Sequence, residues 1–512
     1  MRTTSAFGIV AAAFALGGCT TLAYDQLSAQ RLGYDSNKNR QCRALLQNVR
    51  SAVAVHKTGD AENVPVRGFP YFRTNRVLAK LGDRFAKSAS GPAFDAWVER
   101  LRALDREATK IEIANLPGRV RAQLYPRTAI TSDRGRQLEQ TLEDCAGAAK
   151  AAVLASSTKR AKLVAAVHVA EDYSDSAQTI GLFALTSIPV GIGWENWKRD
   201  NLKTFAQQSA ASAANDISYG PAGRTAALSQ AAVRKIIARS RDRHLGVPKP
   251  SPAEQVRLFE TFAPIWRVAT NGAYDLPGYP VWANDGAAIT IDQRRAAVFT
   301  RTSHTIVDGQ VLLQLVYTIW FSERPKRSAV DLLGGKLDGV IWRVTLGDDG
   351  RPLIYDSIHA CGCYHLLFPT QAFRDRFGGQ ADARLKEVPA VINRALEWRR
   401  GQRVVLHLAS ASHYLSNVFT TAEPGYRGDT RKPYQLVSAK LLRSLPIPAG
   451  GRRSIYRPDG LIAGSERLER FVLWPTGVQS PGAMRQWGRH AIAFVDRRHF
   501  DDAELFHQIF GK

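Results

Sequence analysis

The chain divides by the period of its apolar positions. In its first half they recur at helical spacing. In "QCRALLQNVRSAVAV", Cys42, Leu45, Leu46, Val49 and Val53 share one face. The stretch from Gly91 starts with Pro92 in its first turn, carries Phe94, Trp97, Leu101, Leu104 and Ile111, and stops by Pro117. "DRGRQLEQTLEDCAGAAKAAVLAS" aligns Leu138, Leu142, Cys145 and Ala149. A further helix is expected from Thr204 to Arg241. "HLGVPKPSPAEQ" (His244 to Gln255) then marks a boundary with three prolines and a glycine.

After the boundary the period falls to two. In "GQVLLQLVYTIWFSERP", Leu313, Leu315, Tyr317, Ile319 and Phe321 share one face and Leu312, Val316 and Trp320 the other. A strand apolar on both faces belongs in the middle of a packed sheet. The segment from Asp338 to Phe368 reads as strand, Gly-Asp-Asp-Gly turn and strand. "RVVLHLASASHYLSNV", "ERFVLWP" and "HAIAFVD" read as further strands, Pro389 to Arg399 as a helix, and Asp501 to Phe510 as a terminal helix. The pattern predicts an α+β protein: a helical domain over 41–245, then a mainly antiparallel β-rich domain over 256–512. One apolar run, Ile180 to Trp194, contains Pro189 and is too short to span a bilayer, so it is expected in a buried loop or core.

The N-terminus adds an address. Arg2 precedes an apolar stretch from Ala6 to Leu16, followed by Leu16-Gly17-Gly18-Cys19. The apolar stretch has signal-peptide length, about 7–15 residues. These residues resemble the lipobox of bacterial lipoproteins, over the first twenty or so residues only. The resemblance implies a signal peptide over 1–18, cleavage before Cys19, and acyl chains on its thiol and freed amine. Residues 19–40 would be a lipidated tether. Two or more acyl chains anchor a protein stably. Thr20 stands where family usage puts an aspartate for inner-membrane retention, so the implied address is the outer membrane, facing the periplasm.

Composition refines the partners. The chain has 512 residues, a net charge of +24 and 45% hydrophobic residues. A basic exported protein is drawn to anionic lipid or lipopolysaccharide. Its basic residues are scattered and are not gathered with aromatics into a module, so no nucleic-acid partner is expected. Of five cysteines, Cys19 goes to lipid, leaving Cys42, Cys145, Cys361 and Cys363. An oxidising compartment favours two pairs, Cys42 with Cys145 and Cys361 with Cys363.

The candidate chemistry lies in "DSIHACGCYHLLFPT", Asp356 to Thr370, where His359, Cys361, Cys363 and His365 alternate. On a strand they face one way, but roughly 20 Å would separate His359 from His365. A zinc–ligand bond is only about 2.0–2.3 Å. Either Gly362 kinks the chain, or a few of these groups join ligands from elsewhere, such as His413, His407 or His304. Three readings compete: a tight Cys361–Cys363 disulfide, a zinc or copper site, and a redox dithiol whose thiol pKa a histidine lowers. No H-E-x-x-H, G-x-S-x-G or Walker spacing is present. Ser410 and Ser412 beside His413 do not make a triad in sequence alone. Asp331, Asp338 and Asp356 offer carboxylates for glycan cleavage, though their neighbours suit turn caps better. Two functions are expected: an envelope lipoprotein that binds or scaffolds, or a metal-dependent or thiol-redox enzyme at the His359 cluster.

Overall fold

Eleven strands of one sheet organise most of the chain in the computed structural model, which describes residues 37–124, 134–207, 213–223, 226–394, 396–422 and 431–511. The lipobox, Cys19 and most of the tether lie outside the described residues. The chain forms two compact units: residues 1–59, 63–74 and 82–168, and residues 60–62, 75–81 and 169–512. The expected boundary near residue 250 therefore falls inside the second unit.

The first unit is helical, as its period predicts. Its main helices are α1 (Asn37–Val55), α2 (Gly91–Ala114), α3 (Arg134–Leu154) and α4 (Ser157–Ala166). Val49, Phe94, Trp97, Val98 and Leu101 are fully buried. Gly82 lets the Trp97 ring approach; a Cβ there would lie 2.9 Å from it. Arg73 donates to Glu112 at 2.7 Å and to Asp105 at 3.2 Å, and Arg50 reaches Asp105 at 2.7 Å, so these buried charges are paired. The expected Cys42–Cys145 disulfide joins α1 to α3 across 103 residues.

The second unit holds β1 (Asp216–Pro221), β2 (Ile265–Ala269), β3 (Ala297–Val307), β4 (Gln310–Arg324), β5 (Gly335–Leu346), β6 (Pro352–His359), β7 (Leu366–Pro369), β8 (Ala390–Val391), β9 (Val404–Leu408), β10 (Leu415–Thr420) and β11 (Lys432–Ser438). Their order is β8-β7-β6-β5-β4-β3-β11-β1-β2-β9-β10. The run from β3 to β7 is antiparallel, but β7–β8, β3–β11, β11–β1 and β2–β9 are parallel. The sheet is mixed, which corrects the expectation of a mainly antiparallel one. Long connections outside the hairpins allow parallel neighbours, and period-two patterning does not reveal them.

All eleven strands contribute to one apolar cluster, with Tyr219, Trp266, Trp342, Phe368, Leu406 and Tyr434 among its members. Arg394, just after edge strand β8, donates to Asn417 on edge strand β10 at 2.7 Å. The sheet thus curls until its edges approach. The two faces of β4 separate as its pattern predicts: Leu313, Leu315, Tyr317, Ile319 and Phe321 enter this cluster, while Leu312, Val316 and Trp320 enter a second one against the C-terminal helix Leu505–Phe510.

Several expected elements differ. The helix expected over 204–241 is interrupted by β1, which joins the sheet. The described residues between 389 and 399 hold the short β8 and irregular chain, and no helix is found among them. "ERFVLWP" is a helical turn, Arg470–Leu473, continued by a 3-10 turn, Trp474–Thr476, and "HAIAFVD" contains only an isolated bridge. The run Ile180–Trp194 is not core. It lies largely in helix α5 (Phe183–Gln207), with Leu185, Ile188 and Ile192 in solvent. Its apolar density resembles that of a buried segment, but only one side of the helix packs on the unit.

Candidate functional site

The four alternating residues do not form one row, because the chain turns between them. β6 ends at His359, and β7 returns antiparallel from Leu366. The turn is set by Gly362 at φ +98°, where a Cβ would sit 2.3 Å from the Ala491 carbonyl oxygen. The His359 N–H donates to the Cys363 carbonyl at 2.9 Å. The kink sends the two histidines to separate carboxylates.

His365 Nε2 lies 3.1 Å from Asp356 Oδ2, and Asp356 also holds Arg343 at 2.5 Å. All three are buried. Burial lowers the His365 pKa more than Asp356 raises it. This is a closed ion-pair network, not an open ligand set.

Cys361 and Cys363 are both buried and both free, which corrects the expected disulfide between them. Within the tight turn the Cys363 N–H instead donates to Cys361 Sγ at 3.4 Å. The side-chain hydrogen bond with Cys361, together with burial, pushes the Cys363 thiol well above its ordinary value. A raised thiol pKa suppresses the thiolate at Cys363, the opposite of the lowering by histidine expected there. The proposed metal ligands His359, Cys361, Cys363, His365 and His413 do not converge. Among the described residues no group of three or more His, Cys, Asp or Glu side chains could hold a metal ion, zinc and copper included. His304 bonds the Pro248 carbonyl at 2.7 Å, and His407 lies 3.1 Å from Asp216.

His359 and His413 do meet, through Asp338. The turn between β9 and β10 places His413 against β4 and β5, although β3, β11, β1 and β2 intervene in the strand order. Curling of the sheet makes this possible. His413 Nδ1 lies 2.8 Å from Asp338 Oδ2, His359 Nδ1 lies 3.4 Å from Asp338 Oδ1, and His413 Nε2 lies 3.4 Å from Asp275 Oδ1. The result is a chain Asp275–His413–Asp338–His359, all buried. Asp275 also accepts from Ser410 Oγ and the Ala411 N–H, each at 2.7 Å, and from the Asn271 N–H at 2.9 Å.

The electrostatics of this chain are asymmetric. Burial lowers the His413 pKa, but Asp275 and Asp338 outweigh it and raise the net value. Burial raises Asp338, but His359 and His413 hold it well below the carboxylate range. For His359 burial wins over Asp338 and the pKa falls. His413 therefore holds its proton to higher pH than an ordinary imidazole, and His359 gives its proton up at lower pH. With Nδ1–H turned to Asp338, the His359 lone pair sits on Nε2. That nitrogen is buried and has no hydrogen-bond partner among the described residues. Backbone strain gathers here too: Leu337, Tyr364, Ala411 and His413 all have positive φ without being glycine.

Above His359 stand partly exposed groups. Its ring centroid lies 5.1 Å from Tyr364 and 5.6 Å from Tyr414. Trp197 of α5 packs 4.9 Å from Tyr364 and 6.0 Å from Tyr414, and Trp194 stacks on Trp197 at 5.0 Å. Arg324, at the end of β4, donates to the Tyr414 hydroxyl at 3.2 Å. Glu469 lies within electrostatic reach of Arg324 and Tyr364. Burial pushes its carboxyl up to about 7 against the opposing pull of Arg324, Arg467 and Arg485. Gly482 makes room for it, since a Cβ there would lie 2.0 Å from Glu469 Oε1.

Of the sequence candidates, then, only His359 and His413 share a site. Asp338 serves it, but not as one of a facing carboxylate pair: Asp331 caps the backbone at Arg327, Leu333 and Gly334, and Asp356 belongs to Arg343 and His365. Asp275, Arg324, Tyr364, Tyr414, Trp197 and Glu469 are scattered along the chain, and no local spacing marks them. No family model, curated protein or solved structure matches the chain.

Proposed function

We propose that this chain is an envelope lipoprotein held in the outer membrane by acylated Cys19 and facing the periplasm, and that its second unit is an acid–base enzyme of hydrolytic type. The address is supported by Leu16-Gly17-Gly18-Cys19, and by the Cys42–Cys145 disulfide, which suits an oxidising compartment. The observation that carries the catalytic part is the buried, unpartnered Nε2 of a neutral His359 whose Nδ1 faces Asp338. Two titratable groups pushed to opposite roles at one site are the pattern of an acid–base pair.

In this reading His359 is the base and Glu469 the acid. Water bonds to the electrophilic centre of the substrate and gives its proton to His359 Nε2. The bond to the leaving oxygen breaks, and Glu469 protonates that oxygen. Arg324 holds an anionic group of the substrate, and Tyr364, Tyr414 and Trp197 pack against its apolar part. Asp338 orients His359, and the charged His413 keeps Asp338 ionised.

The test incubates the purified full chain with isolated envelope lipid and glycan and reads product masses. The wild-type protein should release a product that His359→Gln and Glu469→Gln each reduce by about 10²–10⁴-fold, the usual worth of a positioned acid or base. Turnover by His359→Gln equal to wild type would remove the catalytic reading. A binding or scaffolding role without chemistry is favoured by a different observation, the exposed apolar face of α5.

A further inference from the structure

Helix α5 presents an apolar surface that the unit leaves uncovered. Leu185, Ile188 and Ile192 recur at helical spacing on its outer side, with Ile180 and Leu182 just before it, and all five are 58–70% exposed. The surface continues onto a second segment. Gly181 packs so closely on Pro475 that a Cβ would lie 2.5 Å from that ring, and Gln178 donates to the Thr476 carbonyl at 2.8 Å. This contact sets the exposed side chains of Phe471, Val472 and Trp474 beside the start of the helix. Single exposed apolar residues are ordinary, whereas eight on two segments packed against each other mark a docking surface.

The chemistry around the patch selects its occupant. Arg199 and Lys203 are exposed on the following turns of α5, and Arg470 lies over the Phe471 ring at 4.7 Å. The neighbouring acids Glu195 and Asp200 already face Lys198, Arg199 and Lys203. The chain as a whole carries +24. An apolar helical face with a tryptophan at its edge and arginine and lysine beside it is the composition of a helix that lies in a bilayer interface. Among the described residues no helix is long and apolar enough to cross a membrane.

We propose that this face, formed by α5 and residues 470–476, docks on the surface of a bilayer containing anionic phospholipid. Leu185, Ile188 and Ile192 enter the acyl boundary and Arg199, Lys203 and Arg470 meet headgroup phosphates. The same helix carries Trp194 and Trp197 on its packed side, where Trp197 meets Tyr364 and Tyr414 beside His359. The inference needs neither acylation of Cys19 nor catalysis at His359.

The experiment places an environment-sensitive dye at Ile188→Cys in the full chain reconstituted into vesicles of phosphatidylethanolamine and phosphatidylglycerol. Val330→Cys, also highly exposed, is the control, and the parent chain with its buried Cys361 and Cys363 gives the labelling background. The dye at 188 should shift to the blue and be quenched by lipids carrying shallow nitroxides, while the dye at 330 stays quenchable by iodide. Adding Leu185→Glu should abolish the shift without altering thermal unfolding. Equal iodide quenching at both positions would overturn the inference. So would shielding of 188 in whole envelopes but not in pure lipid, which would assign the face to a protein. The mass of the N-terminal peptide, read on the same samples, reports Cys19 acylation separately.

Discussion

Asp338 and His413 approach to 2.8 Å from opposite parts of a curled sheet, in a pocket where neither meets bulk water. The His413 ring is also stacked on Phe321, centroids 3.9 Å apart and planes within 5°. The imidazole therefore has a carboxylate at each nitrogen and an aromatic face against it. A charge so placed is held by its partners, not by solvent, and removing one partner leaves the other uncompensated.

Asp338→Asn should accordingly destabilise the protein by about 3–5 kcal/mol, the usual cost of breaking a buried charged pair from one side. Urea unfolding followed by tryptophan fluorescence measures it. A change below about 0.5 kcal/mol, typical of a surface position, would mean that the network is solvated in solution.

Glu469 gives a pH dependence with a defined sign. Its carboxyl is raised from 4.5 to about 7 in the folded chain, chiefly by burial. The contribution is fully present below pH 4.5 and is lost as pH rises through 7. Glu469→Gln removes the penalty of ionising a buried carboxyl. The variant should match wild type at pH 4.5 and exceed it by about 3 kcal/mol at pH 8, to order of magnitude. Melting curves at the two pH values decide; a constant difference between them would contradict the buried acid.

Gly362→Ala asks two impossible things of one position, a side chain at φ +98° and a Cβ 2.3 Å from the Ala491 oxygen. Overpacking of this kind costs about 1–3 kcal/mol, and the forbidden backbone adds to it. The loss should be accompanied by exposure of Cys361 and Cys363 to a thiol reagent. Unchanged thiol burial would show that the turn does not depend on this glycine.

Reduction should act on the first unit alone. The Cys42–Cys145 bridge closes a loop of 103 residues, for which the chain-entropy treatment gives about 4–5 kcal/mol. Reductant, or Cys42→Ala with Cys145→Ala, should lower the melting transition of the helical unit. Hydrogen exchange over α1 to α3 should rise while the sheet stays protected; a parallel loss in both would contradict the separation.

Much of this architecture is legible in the sequence where structure is local. The faces of α1, α2 and α3, the bridge between Cys42 and Cys145, and the two-sided burial of β4 all follow from period and residue type. What is not legible depends on contacts between distant segments. The parallel pairs β3–β11 and β11–β1 join strands that no pattern links. The run Ile180–Trp194 has the composition of core but only one packed side. At the site, His359 and His413 were visible as histidines, but Asp338 beside Gly339 looks like a turn residue until curling of the sheet brings His413 to it. The row from His359 to His365 presumed an extended chain, and Gly362 breaks it.

Protonation of the two imidazoles on Asp338 is read directly by nitrogen NMR of histidine-labelled protein, with His359→Gln and His413→Gln supplying the assignments. At pH 7 His359 should be neutral, protonated on Nδ1 with a free Nε2 and titrating below 6.5, while His413 should titrate above 6.5. A His359 mainly charged, or a His413 mainly neutral, at pH 6.5 would contradict this pairing.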